Sequence, residues 1–287
     1  MLFNPVGNGP AWMPRGVPLV ITIHDLAWLT GPQWYTRRYR LAQRLLTWRA
    51  ASLASQIFTV SNHAARQIQG SLRILPGRTT VVRNGVGVAG LERTLGNGEA
   101  GNRLDRKSEK PTALFVGTLI RRKNLLGVWH AFSRIRAEGG LDVRLVVVGA
   151  SRDARALNNK LKRDPNVRFL DYVDDQTLAD LYQGASFLVM PSFEEGFGLP
   201  VLEAMAMGTP VITSSTGALG EIAGDAALLV DPYDEEQIAS AMQRLFTDEL
   251  LQADLRERGL VRASLFVWQD SARVALDAIK STLRNTA

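Results

Sequence analysis

The chain has 287 residues, 46% of them hydrophobic, which is enough for two domains with cores of their own. It contains no cysteine, so disulfides, thiolate catalysis and cysteine metal sites are excluded, and a reducing compartment is permitted. No stretch approaches the roughly 18 to 20 apolar residues of a membrane span, and the first residues lack the pattern of a signal peptide. We therefore expect a cytoplasmic protein.

The formal net charge of +6 is distributed unevenly along the chain. Residues 1–90 hold ten arginines, no lysine and one acid, Asp25, which gives that part a charge of +9 and leaves −3 for the remainder. A strongly basic first part favours an anionic partner, either a phosphorylated acceptor or the anionic inner face of a membrane that the protein contacts peripherally. We expect no nucleic acid partner.

The first part of the chain alternates strand and helix patterns. Strands are predicted at 18–23, 57–60 and 79–83. Helical spacing covers 34–56, and Ser61 is placed to cap a second helix. These elements predict half of a Rossmann-like domain over residues 1–90, and the polar, glycine-rich residues 91–111 predict a linker.

The helix predicted at 34–56 interleaves leucines with arginines. Five arginines lie within it, at Arg37, Arg38, Arg40, Arg44 and Arg49. Two interpretations stay open: a helix that lies on a membrane surface, and a core helix with a basic outer face.

The second part of the chain, residues 112–270, alternates more regularly. Strands are predicted at 113–117, 143–149, 167–170, 187–190, 210–213 and 227–230. Helices are predicted at 125–137, 152–162, 175–183, 200–207, 234–247 and 249–264. Such alternation is typical of a parallel sheet wrapped by helices on both faces.

A last amphipathic helix is predicted in the segment 271–287, in a pattern that Trp268 begins. Its apolar stripe consists of Val274, Leu276, Ile279 and Leu283. An apolar stripe of this kind needs a partner surface.

The densest chemistry follows the strand at 187–190. Glu195 and Glu203 lie eight positions apart, in a glycine-containing loop and in the helix that Pro200 opens. Such a loop lies at the carboxyl end of a sheet, where open α/β folds bind ligands, and the helix amino terminus attracts anions. One carboxylate can accept hydrogen bonds from the hydroxyls of a sugar and the other from a ribose diol. The alternative is an ordinary strand-to-helix connection with solvated glutamates.

A second candidate, Gly117-Thr118 followed by Arg122-Lys123, lies after the first strand of the second part and opens a helix. A basic pair at that place can neutralise a diphosphate. A solvated basic turn is the alternative.

The segment that begins at Ser192 resembles the signature of the retaining glycosyltransferases of family 4, which is Ser-x-x-Glu-Gly-Phe-Gly-Leu-Pro-x-x-Glu-Ala-Met. The matching residues are Ser192, Glu195, Gly196, Phe197, Gly198, Leu199, Pro200, Glu203, Ala204 and Met205. The resemblance implies the GT-B fold, an α/β architecture of two Rossmann-like domains with parallel sheets. It also implies that the carboxyl-terminal domain holds a nucleotide sugar, and that the last helix, 271–287, crosses back to the first domain.

The same resemblance implies roles for individual residues. Glu195 would orient the sugar hydroxyls, and Glu203 would hold the ribose. Arg122 and Lys123, with Gly117 and Thr118 before them, match a family segment whose basic pair binds the phosphates of the leaving nucleoside diphosphate.

The remaining donor-site residues follow from the same comparison of motifs. Gly196, Phe197, Gly198 and Leu199 would supply backbone donors to the donor molecule. The backbone at Val173 would meet the nucleotide base, although Asp171 stands where the family more often has glycine.

The family often has a His-Asp-Leu segment where this chain has His24-Asp25-Leu26, and its histidine reaches the reacting carbon of the sugar. His24 is therefore a catalytic candidate beside Glu195, with a purely structural histidine as the alternative. His63 and His130 lack such a match and are expected on helix surfaces.

The expected reaction moves a sugar, with mannose from GDP-mannose as the working choice, to a hydroxyl of a growing surface polysaccharide or lipid-linked glycan. The anomeric configuration is kept, by attack on the face from which the phosphate leaves. Neither an Asp-x-Asp motif nor a ligand cluster predicts a metal, and no dinucleotide fingerprint predicts another cofactor.

Two alternatives stay open: a nucleotide-sugar-binding fragment without turnover, and a GT-B nucleotide-sugar epimerase. The resemblance implies that an amino-terminal segment of about 80 residues would precede Met1 in a complete enzyme, so the first domain is expected to be incomplete.

Overall fold

A computed structural model of the chain describes residues 1–7, 9–10, 12–14, 16–87, 110–150 and 159–284. The linker predicted at 91–111 and the start of the helix predicted at 152–162 therefore lie mostly outside the described residues. By its contacts the chain divides into two units. The first consists of Met1–Gly85, Glu194–Phe197 and Phe266–Ala287, and the second of Val86–Phe193 and Gly198–Leu265. The predicted domain boundaries stay predictions.

The first unit is built on a four-stranded parallel sheet in the order β1-β2-β3-β4. Its strands are β1 (Leu2–Asn4), β2 (Leu19–Thr22), β3 (Gln56–Thr59) and β4 (Thr79–Val81). Its helices are α1 (Ala27–Thr30), α2 (Arg37–Leu53) and α3 (Asn62–Leu72), with short 3-10 turns at Pro32–Trp34 and Pro76–Arg78. Ser61 caps α3 as predicted, because its Oγ accepts the hydrogen of Ala64 N at 3.0 Å. The sequence patterns did not predict β1.

The second unit is a six-stranded parallel sheet. The strands are β5 (Thr112–Val116), β6 (Arg144–Val148), β7 (Val167–Leu170), β8 (Phe187–Met190), β9 (Val211–Ser214) and β10 (Leu228–Val230). They lie in the order β10-β9-β8-β5-β6-β7. The chain thus adds β6 and β7 on one side of β5 and β8 to β10 on the other, so that the strand order reverses between β5 and β8.

Seven helices of the described residues accompany this second sheet and the chain after it. They are α4 (Leu125–Gly139), α5 (Asn159–Lys162), α6 (Asp175–Gly184), α7 (Leu199–Ala206), α8 (Gly217–Ala223), α9 (Glu235–Thr247) and α10 (Glu249–Ala263), before α11 (Trp268–Arg284), which belongs to the first unit. The core of the second unit lies between β5, β6, β8 and the pair α4 and α9. The predicted α/β class with parallel sheets is confirmed, whereas α8 was not predicted.

Two expectations about amphipathic helices need correction. The apolar stripe predicted for the last helix is largely exposed: Val274, Leu276 and Leu283 of α11 are 40 to 49% exposed, while Ile279 is half-buried. The buried residue of that helix is Ser271 instead. The outer face of α2 is not simply basic either, and carries exposed leucines among its arginines. No helix in the described part of the chain combines the length and apolar character that a bilayer crossing requires.

The start of α11 is bound to the end of the first sheet. Ser271 Oγ donates a hydrogen bond to the carbonyl of Arg83. The backbone of Trp268 lies so close to Gly85 that a Cβ atom at position 85 would be 2.5 Å from Trp268 N. This contact is therefore possible only because residue 85 has no side chain.

Replacing Gly85 with alanine should weaken the first unit by about 1 to 3 kcal/mol, because the added methyl group must push Trp268 away. Hydrogen exchange in β2 and β3 should accelerate, while exchange in β5 and β6 stays unchanged. Gly70→Ala is the control, since nothing lies within 4 Å of its added Cβ and alanine is favoured over glycine in a helix. Equal effects of the two substitutions would contradict the contact.

Candidate active site

Two glycines lie at the carboxyl edge of the second sheet, next to the point where its strand order reverses. Gly117 follows β5 and Gly149 follows β6, with φ of 144° and 138°, values that favour glycine. A Cβ atom on Gly149 would lie 2.1 Å from the carbonyl oxygen of Gly117. The two backbone segments can therefore approach only because neither carries a side chain. This is the edge at which open parallel sheets bind ligands.

The basic turn after β5 is held in place at this edge. Arg121–Lys123 form a 3-10 turn, and Lys123 is 9% exposed. A Cβ atom on Gly117 would lie 3.3 Å from Cε and 3.5 Å from Nζ of Lys123. The lysine side chain therefore lies over Gly117, in space that any other residue at 117 would fill.

Three hydrogen bonds fix this turn against the loops that follow β8 and β10. Asn124, in the left-handed conformation, donates from Nδ2 to the carbonyls of Pro191 at 3.1 Å and Pro232 at 2.7 Å. The amide of Phe193 donates to the carbonyl of Arg122 at 2.9 Å. The predicted phosphate ligands Arg122 and Lys123 are thus part of one bonded structure with the segment that leads into the glutamate motif, so the bland alternative of a solvated basic turn does not fit Lys123.

The helix of the glutamate motif begins one residue earlier than predicted. Its first residue is Leu199, Pro200 is the second, and Gly198 precedes it with φ of 118°. Among the residues that the structure describes, no side chain caps this end of α7. An amino terminus without a side-chain cap presents backbone N–H groups to an anion.

Glu203, in the second turn of α7, is a half-buried carboxylate bound to a buried tyrosine. Tyr182 donates its hydroxyl hydrogen to Oε2 of Glu203 at 2.8 Å. Burial raises the pKa of Glu203, and Asp175 raises it further, while the hydrogen bond from Tyr182 acts in the opposite direction. Burial and the neighbouring Glu203 also raise the pKa of Tyr182, which stays a hydrogen-bond donor. The sequence did not indicate Tyr182.

Val173 lies in the loop between β7 and α6 and is half-buried, beside the strongly exposed Tyr172. Asp174, the next residue, caps α6 by accepting the amide hydrogen of Thr177 at 2.7 Å. The backbone at Val173 is thus held at the carboxyl end of the sheet, and its contact with a nucleotide base stays a prediction.

The remaining predicted site residues belong to the first unit. His24, at the end of β2, is exposed, and its Nε2 lies 3.2 Å from the carbonyl oxygen of Pro5. A Cβ atom on Gly196 would be 2.6 Å from the carbonyl oxygen of His24. His24 and Gly196 are therefore brought into contact through their backbones, while the catalytic role of His24 stays a prediction.

Glu195 and Phe197 lie on either side of that glycine and are both buried. Phe197 packs its ring against Phe266 with a centroid distance of 6.0 Å and an interplanar angle of 75°. Glu195 is only 8% exposed, so it is not a solvated glutamate of an ordinary strand-to-helix connection.

Sequence reasoning missed the residues that hold this segment. His63 is half-buried on α3: its Nε2 lies 3.0 Å from Oε1 of Glu194, and the two side chains are 22% and 14% exposed. His130 is exposed as expected and bonds to Glu235. No local pattern marks His63, since its partner is 131 residues away.

Within the described residues, His, Asp and Glu side chains nowhere gather in threes around a position that a metal ion could occupy. The metal-free site stays a prediction.

Two family models match successive parts of the chain. Residues 3–89 match "Glycosyltransferase Family 4", and residues 110–248 match "Glycosyl transferases group 1". The two matches cover most of both units.

Named relatives and a solved structure extend this comparison. The chain is 29% identical to the O-antigen chain mannosyltransferase B of Escherichia coli, over 91% of this chain and 70% of that protein. It is 28% identical to the serotype-specific mannosyltransferase WbdA of E. coli, over 81% of this chain but 29% of that longer protein. The Anabaena protein HepE, solved in complex with UDP and glucose, superposes with a TM-score of 0.71 at 18% identity, over 92% of this chain and 71% of that one.

Replacing Glu203 with glutamine should make the protein more stable than the wild type at neutral pH, by a margin that shrinks on acidification. The folded state holds the proton of Glu203 more tightly than the unfolded state. Its contribution to stability is therefore fully present below the unfolded pKa of about 4.3 and is lost as the pH rises through the higher folded pKa. Glutamine keeps an acceptor for Tyr182 and does not ionise.

Urea unfolding between pH 4 and pH 8 measures this difference. Glu257→Gln, an exposed position on α10, is the matched control and should not show the same growth of the margin with pH. A margin for Glu203→Gln that is the same at every pH would contradict the raised pKa.

Proposed function

We propose a function for this chain, which belongs to the family 4 glycosyltransferases of GT-B fold. It transfers a sugar from a nucleoside diphosphate to a hydroxyl with retention of configuration. The family, the fold class and the class of transferase enzymes agree with the predictions from sequence and are confirmed. The donor, the acceptor and the residue roles belong to the proposal.

The observation that carries the proposal is the buried lysine at the reversal of strand order. Lys123 places its ammonium over Gly117, 3.5 Å from the position of an absent Cβ. Its positive charge lies at the carboxyl edge of the sheet, where open α/β folds bind ligands, and a charged nitrogen there can donate strong hydrogen bonds to the oxygens of a diphosphate. Arg122, in the same turn, adds a second positive charge for the leaving group.

The amino terminus of α7 and Glu203 support the rest of the donor site. The uncapped end of α7 offers N–H groups to phosphate oxygens. Glu203, whose Oε2 is held by Tyr182, is proposed to accept hydrogen bonds from the ribose diol. Val173 is proposed to meet the base.

The chemical step follows from this placement of charge. The acceptor hydroxyl attacks the anomeric carbon on the face from which the diphosphate leaves, the bond from that carbon to the phosphate oxygen breaks, and the phosphate oxygen takes the hydroxyl proton. Lys123 and Arg122 stabilise the negative charge that develops on the leaving group. Glu195 is proposed to orient the sugar hydroxyls, and His24 to reach the reacting carbon.

Mannose from GDP-mannose is the proposed donor, because the relatives named above are mannosyltransferases, one of them of the O-antigen chain. The same names support a surface polysaccharide or a lipid-linked glycan as acceptor. HepE, solved with UDP and glucose, makes a uridine donor the natural comparison in the test. We propose that no metal takes part.

The full chain should bind GDP-mannose with a dissociation constant below 1 mM in calorimetry, and more tightly than it binds uridine or adenosine diphosphate sugars. Lys123→Ala should weaken binding by about ten- to a hundredfold, since it removes a charge-assisted contact to phosphate. Lys110→Ala is the control, because Lys110 precedes β5 at the opposite edge of the sheet, where it bonds to Asp142.

Millimolar or weaker binding of all three donors would overturn the donor site. Transfer itself is measured as acceptor-dependent release of GDP, with the configuration of the product read by NMR. Tight binding without release in the presence of any glycan acceptor would favour the alternative of a binding protein without turnover.

We also propose that the basic first part contacts the anionic inner face of a membrane through α2, where the protein would meet a lipid-linked acceptor. The residues of α2 that face the core are Thr47, Ala50 and Ala51. The opposite side shows Leu41, Leu45 and Trp48, which are 57 to 63% exposed and are spaced by one helical turn. Arginines 37, 38, 44 and 49 border this stripe, and α2 has no acidic residue. Exposed leucine and tryptophan flanked by arginine are typical of helices that lie in the bilayer interface.

The protein should therefore sediment with vesicles that contain phosphatidylglycerol and not with pure phosphatidylcholine, and salt should weaken the binding. Leu45→Glu should abolish sedimentation, whereas Leu250→Glu, at an 85% exposed leucine of the second unit, should leave it unchanged. Equal binding to both kinds of vesicle would exclude the charge-dependent contact.

A further inference from the structure

The loop after β8 belongs by its contacts to the first unit, although its neighbours in the chain, Phe193 and Gly198, belong to the second. We call Glu194–Phe197 the motif loop. It carries Glu195, the residue proposed to orient the donor sugar. What fixes the motif loop therefore fixes Glu195.

Glu194, the first residue of the motif loop, is held by two side chains of α3. His63 Nε2 lies 3.0 Å and Gln67 Nε2 lies 3.3 Å from Oε1 of Glu194. The two nitrogens are 2.9 Å from each other. An ionised carboxylate oxygen can only accept, so we assign the proton of His63 to Nε2 and one hydrogen of Gln67 Nε2 to the same oxygen, Glu194 Oε1.

Gly196, the third residue, is held by the cap of the same helix. Ser61 is fully buried, and its Oγ donates to the carbonyl of Gly196 at 2.8 Å while accepting from Ala64 N at 3.0 Å. One hydroxyl thus begins α3 and binds the motif loop. Its single hydrogen leaves no choice of which bond is donated.

The other side of the motif loop rests on the end of β2 and on the chain before α11. The Cβ that Gly196 lacks would lie 2.6 Å from the carbonyl oxygen of His24 and 3.0 Å from Cβ of Asp25. Phe197 packs edge-on against Phe266. Glu194, Gly196 and Phe197 are therefore each held by a specific contact, and Glu195 lies between them in the chain.

We infer that Ser61, His63 and Gln67 are positioning residues: they hold the motif loop in the one conformation that presents Glu195 and the backbone of Gly196 to the donor. The inference rests on the proposed function for its catalytic consequence. A carboxylate that must meet sugar hydroxyls at hydrogen-bond distance loses rate steeply when its backbone is free to move.

Ser61→Ala in the full chain should lower kcat about tenfold while KM for the donor changes less than twofold. Ser61→Thr, which keeps the hydroxyl, should restore most of the rate. The matched control is Thr36→Ala, which removes the cap of α2 in the same unit, where Thr36 Oγ1 accepts from Tyr39 N, and does not touch the motif loop. A loss of rate equal to that of Thr36→Ala would reduce Ser61 to an ordinary helix cap.

The second arm addresses Glu194. His63→Ala should lower kcat with little change in KM, and His63→Gln, whose amide can still donate to Glu194, should recover part of it. A drop of the same size in both variants, or one confined to KM, overturns the role of His63. In the double variant, Gln67→Ala should lower kcat by a smaller factor than it does alone, because both nitrogens bind the same oxygen of Glu194.

Hydrogen exchange separates this inference from the proposed function. In Ser61→Ala and His63→Ala, the amides of the motif loop should exchange faster than in the wild type, with the amides of β5 and β6 unchanged. Unchanged exchange in the motif loop overturns the inference whatever the activity. If the motif loop exchanges faster in these variants but the wild-type chain neither binds nor transfers a sugar, the positioning contacts are supported and the proposed function is rejected.

Discussion

The strand order of the second unit reverses between β5 and β8, and the rest of the candidate donor site depends on that constraint. Connections leave the two strands in opposite directions across the sheet, so the ends of β5 and β8 are not covered by one continuous crossover. The basic turn follows β5 and the glutamate motif follows β8. Asn124 and the carbonyl of Arg122 then join these two loops by direct hydrogen bonds. The parallel strands put Lys123 and α7 at the same edge of the sheet, and the reversal leaves the space between them free of a crossover.

Three glycines at the candidate site allow close contacts because they have no Cβ atom. At 117 it leaves room for the side chain of Lys123, at 149 for the carbonyl of Gly117, and at 196 for the carbonyl of His24. The close neighbour is a side chain at 117 and backbone at 149 and 196, and Gly117 and Gly149 also have a φ that other residues rarely adopt. The ligand-facing edge is thus shaped by missing Cβ atoms, which give space without adding mobile side chains.

Glu203 and Glu194 show two ways in which a glutamate side chain is used. Glu203 is half-buried with one tyrosine donor, and burial raises its pKa, so its ionised form costs stability that a donor molecule with hydroxyl groups can recover. Glu194 is held by two nitrogen donors of α3 and serves to fix the loop. The first glutamate remains suited to a ligand, whereas the second is committed to the fold.

The sequence by itself determined the α/β class, the strands of the second unit and the residue types that follow their ends. Buried parallel strands appear as continuous apolar runs, such as Phe187–Met190, and the residues that follow them must lie at the ligand-binding edge. Gly117, Lys123 and Glu203 could be chosen on this local information. The tertiary structure alone decided that Glu194–Phe197 packs with α3, that Tyr182 holds Glu203, and that β1, with three residues, forms a strand beside β2. It also decided that most of the stripe of α11 stays exposed and that His63 bonds to Glu194. The reason is physical: Ser61, His63 and Gln67 meet the motif loop across 127 to 135 residues of chain, and no period of 2 or 3.6 residues encodes a contact at that separation.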